Sequence, residues 1–211
     1  MQKVGKPSTS VEAQQRPAPR PGSHSAAREQ AILAAAAELV VEVGYERVTV
    51  DAIAARAHAS KSTMYRKWPG KAELVADALR RQAEGRATEL PDTGGVRGDL
   101  LLTVRSIAQR FTSGEAGPSL LSLVEAIRAD QVLRDIIRSQ IDERSGYDGA
   151  LICARAMSRG ENVDADRGPA VIGLALARLF LRTLLGGEPP SDHEQEILVD
   201  QTLLPLLNTR I

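Results

Sequence analysis

Thr49-Val-Asp-Ala-Ile-Ala-Ala-Arg-Ala-His-Ala-Ser-Lys-Ser-Thr-Met-Tyr-Arg-Lys-Trp68, followed by Pro69-Gly70-Lys71, is the stretch that decides the fold. Thr49 is placed to cap a short helix, its hydroxyl accepting a free backbone N–H. Val50, Ile53, Ala54 and Ala57 recur at helical spacing and give that helix one buried face. His58-Ala59 makes the turn, Ser60 caps a second helix, and Pro69 stops it after about Trp68. Met64 and Trp68, four apart, face inward against Ile53. Lys61, Ser62, Thr63, Arg66 and Lys67 are left facing outward, with Tyr65 at the flank. Gly70 caps the next helix and sets Lys71 in its first turn, where free N–H groups favour a phosphate.

Two short helices with a tight turn, the second rich in hydroxyls and cations, suit a helix that enters a DNA groove. Cations and hydroxyls bind phosphates and fix register, while a few side chains reach base edges. Lys61, Ser62, Thr63 and Arg66 are the candidates for base contact, and Tyr65, Lys67 and Lys71 for the backbone. The cap residues Thr49 and Ser60 complete the expected DNA-binding set.

At this point the run from Ala26 to about Leu79 resembles the DNA-binding domain of the tetracycline-repressor (TetR/AcrR) family of bacterial regulators. The resemblance rests on Gly44-Tyr45, Thr49-Val50, Ile53-Ala54, Ala57, Ser60-Lys61, Tyr65, Trp68, Lys71 and Leu74, about a quarter of the chain. One position departs from the pattern: His58-Ala59 stands where the family has Gly-Val or Gly-Ala. Histidine is among the residues that tolerate positive φ, so the turn is expected to survive, and His58 is an alternative contact to the DNA backbone.

The 211 residues suffice for one or two compact domains. Basic and acidic residues balance at 27 each, so net charge is uninformative. Its distribution is not: residues 1–90 carry 14 basic and 10 acidic side chains, and the five lysines all lie at or before Lys71. A basic front and acidic back fit a DNA-binding head on a body that stays off DNA. The single cysteine, Cys153, rules out an internal disulfide, reads as a small core residue, and makes a reduced cytoplasmic setting the expectation. No leader-like apolar run opens the chain, and Val171–Leu185, interrupted by Arg178 and Arg182, is judged too short to span a bilayer, so no membrane partner is expected.

The organisation follows from breaks in the pattern. Residues 1–25, with four prolines and the cations Lys3, Lys6, Arg16 and Arg20, read as a disordered basic arm, either trailing along DNA or without function. Residues 26–84 form the helix-turn-helix domain, its first helix from Ala26 to Val43. A glycine-rich break, Pro91–Gly98, precedes a helical body over 96–211. Asp99 is expected to cap a helix carrying Leu100, Val104, Ile107 and Phe111, and Gly117-Pro118 to open the next. Gly146 and Gly149 are expected to kink or break a long helix through Leu133, Ile137 and Ile141. Gly168-Pro169 opens an apolar helix, and Ser191 with Glu194 forms a capping box for a last helix bent near Pro205. No strand pattern competes: the fold is all-α, a three-helix DNA-binding head on a larger helical body for ligand binding and dimerisation.

The 169–185 helix is apolar nearly all round, which calls for burial on two sides, one of them against a second copy. Gly173, Leu176, Ala177, Leu184, Leu198 and Leu203 are the expected dimer interface, an arrangement the family resemblance implies too. Two-fold symmetry would set two recognition helices on a palindromic operator, ~34 Å apart. The resemblance also implies a small-molecule effector pocket in the body. Phe111, Leu121, Val124, Ile137, Ile141 and Phe180 are its candidate lining, and with 3% aromatics and no evident polar cluster it would suit a mostly apolar effector. No metal-ligand spacing connects His24, His58 and His193, and no phosphate loop or nucleophile motif appears, so neither metal, cofactor nor catalysis is expected. The competing reading is a helical ligand-binding or adaptor protein whose head has left DNA. Retention of Lys61, Tyr65, Arg66, Lys67 and Lys71 argues against it.

Overall fold

A computed structural model describes residues 21–85, 90, 92–112, 120–186, 188 and 190–208. Among these residues the protein is helical, without strands. α1 spans Pro21–Val43, and a single 3-10 turn, Tyr45–Arg47, leads into α2 (Val50–Arg56), α3 (Lys61–Tyr65) and α4 (Lys71–Gly85). The body comprises α5 (Val96–Thr112), α6 (Leu120–Ala129), α7 (Gln131–Ser158), α8 (Gly168–Gly186), α9 (Asp192–Leu198) and α10 (Leu204–Asn208). The basic arm expected over 1–25 lies mostly outside the described residues. Its last five, Pro21–Ser25, are instead the start of α1, where Pro21 at the first position needs no intrahelical donor.

The head folds around Ile32, Ala36, Val40, Ile53, Met64, Trp68, Leu74 and Val75, all buried. Its short helices are held by caps as the sequence predicts. Thr49 accepts from the Ala52 N–H at 3.1 Å and Ser60 from the Thr63 N–H at 3.3 Å. His58 adopts φ 49°, the left-handed conformation expected of the turn. Helix α3 ends at Tyr65, short of Trp68. The chain tightens there, and Trp68 Nε1 donates to Asp77 on α4 at 3.0 Å.

The body differs from expectation in three places. Asp99 does not cap α5, which begins three residues earlier. Glu161 accepts from the Val96 N–H at 3.0 Å, and Asp99 is buried, accepting from Thr93 N at 2.7 Å and pairing with Arg159 at 3.0 Å. Gly146 and Gly149 leave α7 unbroken from Gln131 to Ser158. The reason for Gly149 is close approach: a Cβ there would overlap the backbone of Gly168, and one on Gly168 would meet the Gly149 carbonyl and Cys153 Sγ. This glycine contact lets α7 and α8 pack along their length. Finally, the turn before Pro205 is not α-helical. A π-helical turn, Val199–Leu203, joins α9 to α10 and removes the need for the N–H that proline lacks.

The capping box of α9 is present in full: Glu194 N–H bonds to Ser191 Oγ, and the Glu194 carboxylate accepts from Ser191 N at 2.8 Å. The helix opened by Gly117-Pro118 begins at Leu120 in the described residues, and that dipeptide lies outside them. Ala165–Gly186, longer than the apolar stretch read from the sequence, is long and apolar enough to cross a membrane by length and composition alone. Val171, Ile172, Ala175 and Leu179 nevertheless pack into the body core with Leu100, Val104, Ile152 and Leu203, leaving only the other side of α8 open.

Candidate nucleic-acid interface

α3 sits on the outside of the head because Met64 anchors one face. Its neighbours in sequence, Lys61, Ser62, Tyr65, Arg66 and Lys67, are exposed, and Thr63 is half-buried. Ser60 is the hub of a hydroxyl cluster, with its Oγ 2.8 Å from Thr63 Oγ1 and 3.1 Å from Ser62 Oγ. Rotation of these hydroxyls can present donors or acceptors to a ligand at little cost.

The cations are poised differently. Lys61 Nζ pairs with Asp51 on α2 at 2.6 Å, which ties α3 to α2 and orients the ammonium. Lys67 pairs with Glu29 on α1 and lies 5.2 Å from the Trp68 ring centroid. Exposed pairs of this kind contribute about 1 kcal/mol or less, so a phosphate can displace the carboxylate. Lys71 is the exception among the expected contacts. It is half-buried, donating to the Tyr45 carbonyl at 3.1 Å with its ammonium 4.2 Å from the Tyr45 ring centroid. Its charge thus fastens the start of α4 to the turn after α1. Sequence spacing placed it at a helix N-terminus, and only the fold brings Tyr45 against it.

The same tyrosine joins head to body. Its hydroxyl donates to Asp130 Oδ2 at 2.5 Å, and Asp130 caps α7 by accepting from the Leu133 N–H at 3.1 Å. The head core continues through Ala126, Leu133 and, at its edge, Ile136 and Ile137. The Tyr45 bond first, then the Leu133 amide, hold the Asp130 carboxyl below its ordinary pKa, while burial pushes the Tyr45 phenol well up. A depressed carboxyl contributes stability that is fully present above the unfolded value, near 3.8, and lost as pH falls through the lower folded one. Tyr45→Phe should therefore flatten the decline of melting temperature between about pH 5 and pH 2, leaving α7 capped. Calorimetry across that range checks it, and an unchanged acid limb would mean the bond contributes nothing.

In the body the expected lining residues that are described lie in different surroundings. Phe111 and Phe180 meet edge to face, centroids 6.1 Å apart, and Val124 is half-buried on α6. Ile137 packs on the head core and Ile141 is exposed. The Leu121 side chain lies outside the described residues. What the sequence reading missed is a polar cluster. Arg144 Nε donates to Asp148 Oδ2 at 2.8 Å, Asp148 is 4% exposed, and Arg110 on α5 feels the charge of both. The signal was present: Arg110 falls three after Ile107 and Asp148 four before Ile152, polar residues on apolar stripes.

The expected dimer residues divide as well. Gly173 is half-buried with open space around a Cβ built there, Ala177 is exposed, and Leu176 and Leu184 are half-buried. Leu203, 0% exposed, and Leu198 belong to the chain's own core, which corrects their assignment to an interface. The π turn explains it, because its wider repeat brings Leu198 and Leu203, five apart, onto one inward face. The open apolar surface is instead Leu174, Leu181, Leu185, Ile197 and Leu206.

Among the described residues no group of three or more histidines, cysteines or acids could hold a metal. Residues 32–78 match the model of the bacterial regulatory proteins of the tetR family, and residues 90–202 match a tetracyclin repressor-like C-terminal domain. Over 185 residues the chain is 39% identical to a protein of Mycobacteroides abscessus named DNA-binding transcriptional repressor TetR, covering 85% of this chain and 94% of that one. It is 31% identical to the uncharacterized regulator YdeS of Bacillus subtilis, covering 81% and 85% of the two chains. Among solved structures it resembles the flavonoid-responsive regulator FrrA, with a TM-score of 0.63 at 20% identity over 88% of this chain and all of that one. Reduced NemR of E. coli gives a TM-score of 0.60 at 13% identity, over 83% and 96%.

Proposed function

Since this chain belongs to the TetR family of bacterial transcription regulators, we propose that it is a cytoplasmic homodimeric repressor that occupies a palindromic operator and leaves it when a small effector binds the body. One observation carries the reading. Lys61, Ser62, Tyr65, Arg66 and Lys67 are exposed together on a helix capped by Ser60 and anchored by Met64, so the cations and hydroxyls face outward in register. The M. abscessus relative, named a DNA-binding transcriptional repressor, supports repression over activation. A catalytic role has no support from the relatives, which are regulators.

Lys61, Ser62, Thr63 and Arg66 are assigned to base edges, and Tyr65 and Lys67 to phosphates. Thr49 and Ser60 lie where their exposed hydroxyls can meet the backbone, and Lys71 acts by holding the Tyr45 turn while its charge adds to the field. The dimer forms across the open side of α8, where Leu181 and Leu185 are 49% and 78% exposed, with Gly173 and Ala177 allowing close approach. The paired change Leu174→Arg and Leu181→Arg should convert the dimer into a particle of the 22.6 kDa chain mass. Sedimentation would read this directly, and a persistent dimer would place the interface elsewhere.

The effector would tilt the heads through α6 and α7, whose junction carries the Asp130 bond to Tyr45. It can do so only by binding the released state more tightly than the DNA-bound one. The test is selection of fragments from sheared genomic DNA by the purified full chain at low salt. A recovered palindrome, bound with an affinity that falls steeply as salt rises, is the expected result. No enriched sequence would favour a ligand-binding module without a DNA role.

A further inference from the structure

Helix α2 ends in a turn built like a glycine cap but occupied by histidine. The Ala59 N–H bonds to the Ala54 carbonyl at 2.9 Å and the His58 N–H to the Ala55 carbonyl at 3.3 Å, the paired bonds of a Schellman motif. That motif sets its left-handed residue at His58, with φ 49°, where glycine would sit without a Cβ clash. No contact among the described residues accounts for the side chain. His58 is exposed, and its imidazole makes no hydrogen bond or ion pair with any of them. The other side-chain donors around the turn are committed. Arg56 bonds to Glu42 at 2.5 Å, Lys61 pairs with Asp51 at 2.6 Å, and the Ser60 hydroxyl joins those of Thr63 and Ser62. Strained residues of this kind cluster at binding and active sites.

We infer that His58 binds a DNA phosphate and thereby fixes how α3 sits in the groove; this rests on the reading of α3 as the DNA-reading helix. In paired helices of this kind the recognition helix enters the major groove by its N-terminal residues, and the preceding helix crosses the backbone. The turn between them therefore comes to the groove edge, where the phosphates run. His58 stands there, two residues before the Ser60 cap of α3. An imidazole has at least one N–H donor in either protonation state, and at His58 no carboxylate has to leave before a phosphate oxygen accepts it. Lys61 and Lys67 must each first part from an acid. A contact from a short side chain on a fixed turn sets register, which glycine in the same turn could not do. The strain at His58 is thus tied to the position of α3 on DNA and not to the stability of the head.

The test compares the full-length protein with His58→Gly on its selected operator, intact and with single phosphates replaced by uncharged methylphosphonates. His58→Gly should melt at an equal or higher temperature, because glycine relieves the left-handed strain. It should bind the intact operator at least about tenfold more weakly, having lost a hydrogen bond to a charged group in each half-site. At one groove-edge phosphate per half-site, neutralisation should weaken the wild-type protein by about tenfold and leave the variant nearly unaffected. At every other contacted phosphate the two proteins should respond alike. A turn merely loosened by glycine would lose affinity but keep the wild-type response at every phosphate, and that result overturns the inference. Unchanged operator affinity overturns it as well. In both cases the wild-type protein still holds its operator, so the regulator reading stands. Failure of the wild-type protein to select any DNA removes both.

Discussion

Lys61→Glu combined with Arg66→Glu should abolish operator binding while leaving the melting temperature within about 2 °C of the parent. Both side chains are exposed. Lys61 pairs with Asp51 in an exposed ion pair, and such pairs contribute about 1 kcal/mol or less to stability. In a dimer the two changes turn four attractive contacts into four repulsive ones. The expected loss is about 10³-fold or more at ~0.1 M salt, with a shallower salt slope because four positive charges near the phosphates become negative. Fluorescence anisotropy over a salt series reads both quantities. Lys71 is not used for this purpose, because its bond to the Tyr45 carbonyl and its contact with the Tyr45 ring would confound binding with folding. A double variant that keeps its affinity would remove α3 from the interface.

Gly149→Ala should be the most damaging single-methyl change in the body. An added Cβ overlaps the carbonyl of Gly168 and the backbone nitrogen of Pro169, and backbone of a facing helix cannot rotate aside as a side chain can. Overpacking ordinarily costs 1–3 kcal/mol, and here about 3 kcal/mol is expected, since α8 must shift away from α7. Because α8 also carries Leu174, Leu181 and Leu185 on its open side, the shift should weaken the proposed dimer in step with stability. Gly146→Ala is the internal control: a Cβ there meets nothing within 4 Å, and alanine favours the helix by nearly 1 kcal/mol. Urea melts of the two variants should move in opposite directions. If both stabilise, the close approach of α7 and α8 is wrong.

Those two glycines also mark the limit of what could be read from the sequence. Composition makes any glycine inside a helix a candidate break. Only the neighbouring helix reveals that Gly149 is there for contact and Gly146 is not. The head was legible almost residue by residue, because its caps, turn and buried face are local: Thr49, Ser60, Met64, Trp68 and the positive φ of His58 all follow from neighbours within eight positions. The body was legible as helices and illegible as a site. Its determinants are long-range, such as Asp99 meeting Arg159 and Arg110 sensing Asp148, and a stripe pattern does not say which stripe faces which. Leu203 shows the same limit: its apolar spacing was read correctly, but the π turn decided which way it faces.

The proposed function requires α3 to read the major groove as one of a symmetric pair. Interference footprinting on the selected operator, replacing guanine by 7-deazaguanine one position at a time, tests it most directly, since N7 is accessible only from that groove. Two clusters of interference are expected, related by a dyad and centred about one helical turn, ~34 Å, apart. Interference confined to the minor groove, or a single cluster without symmetry, would contradict it.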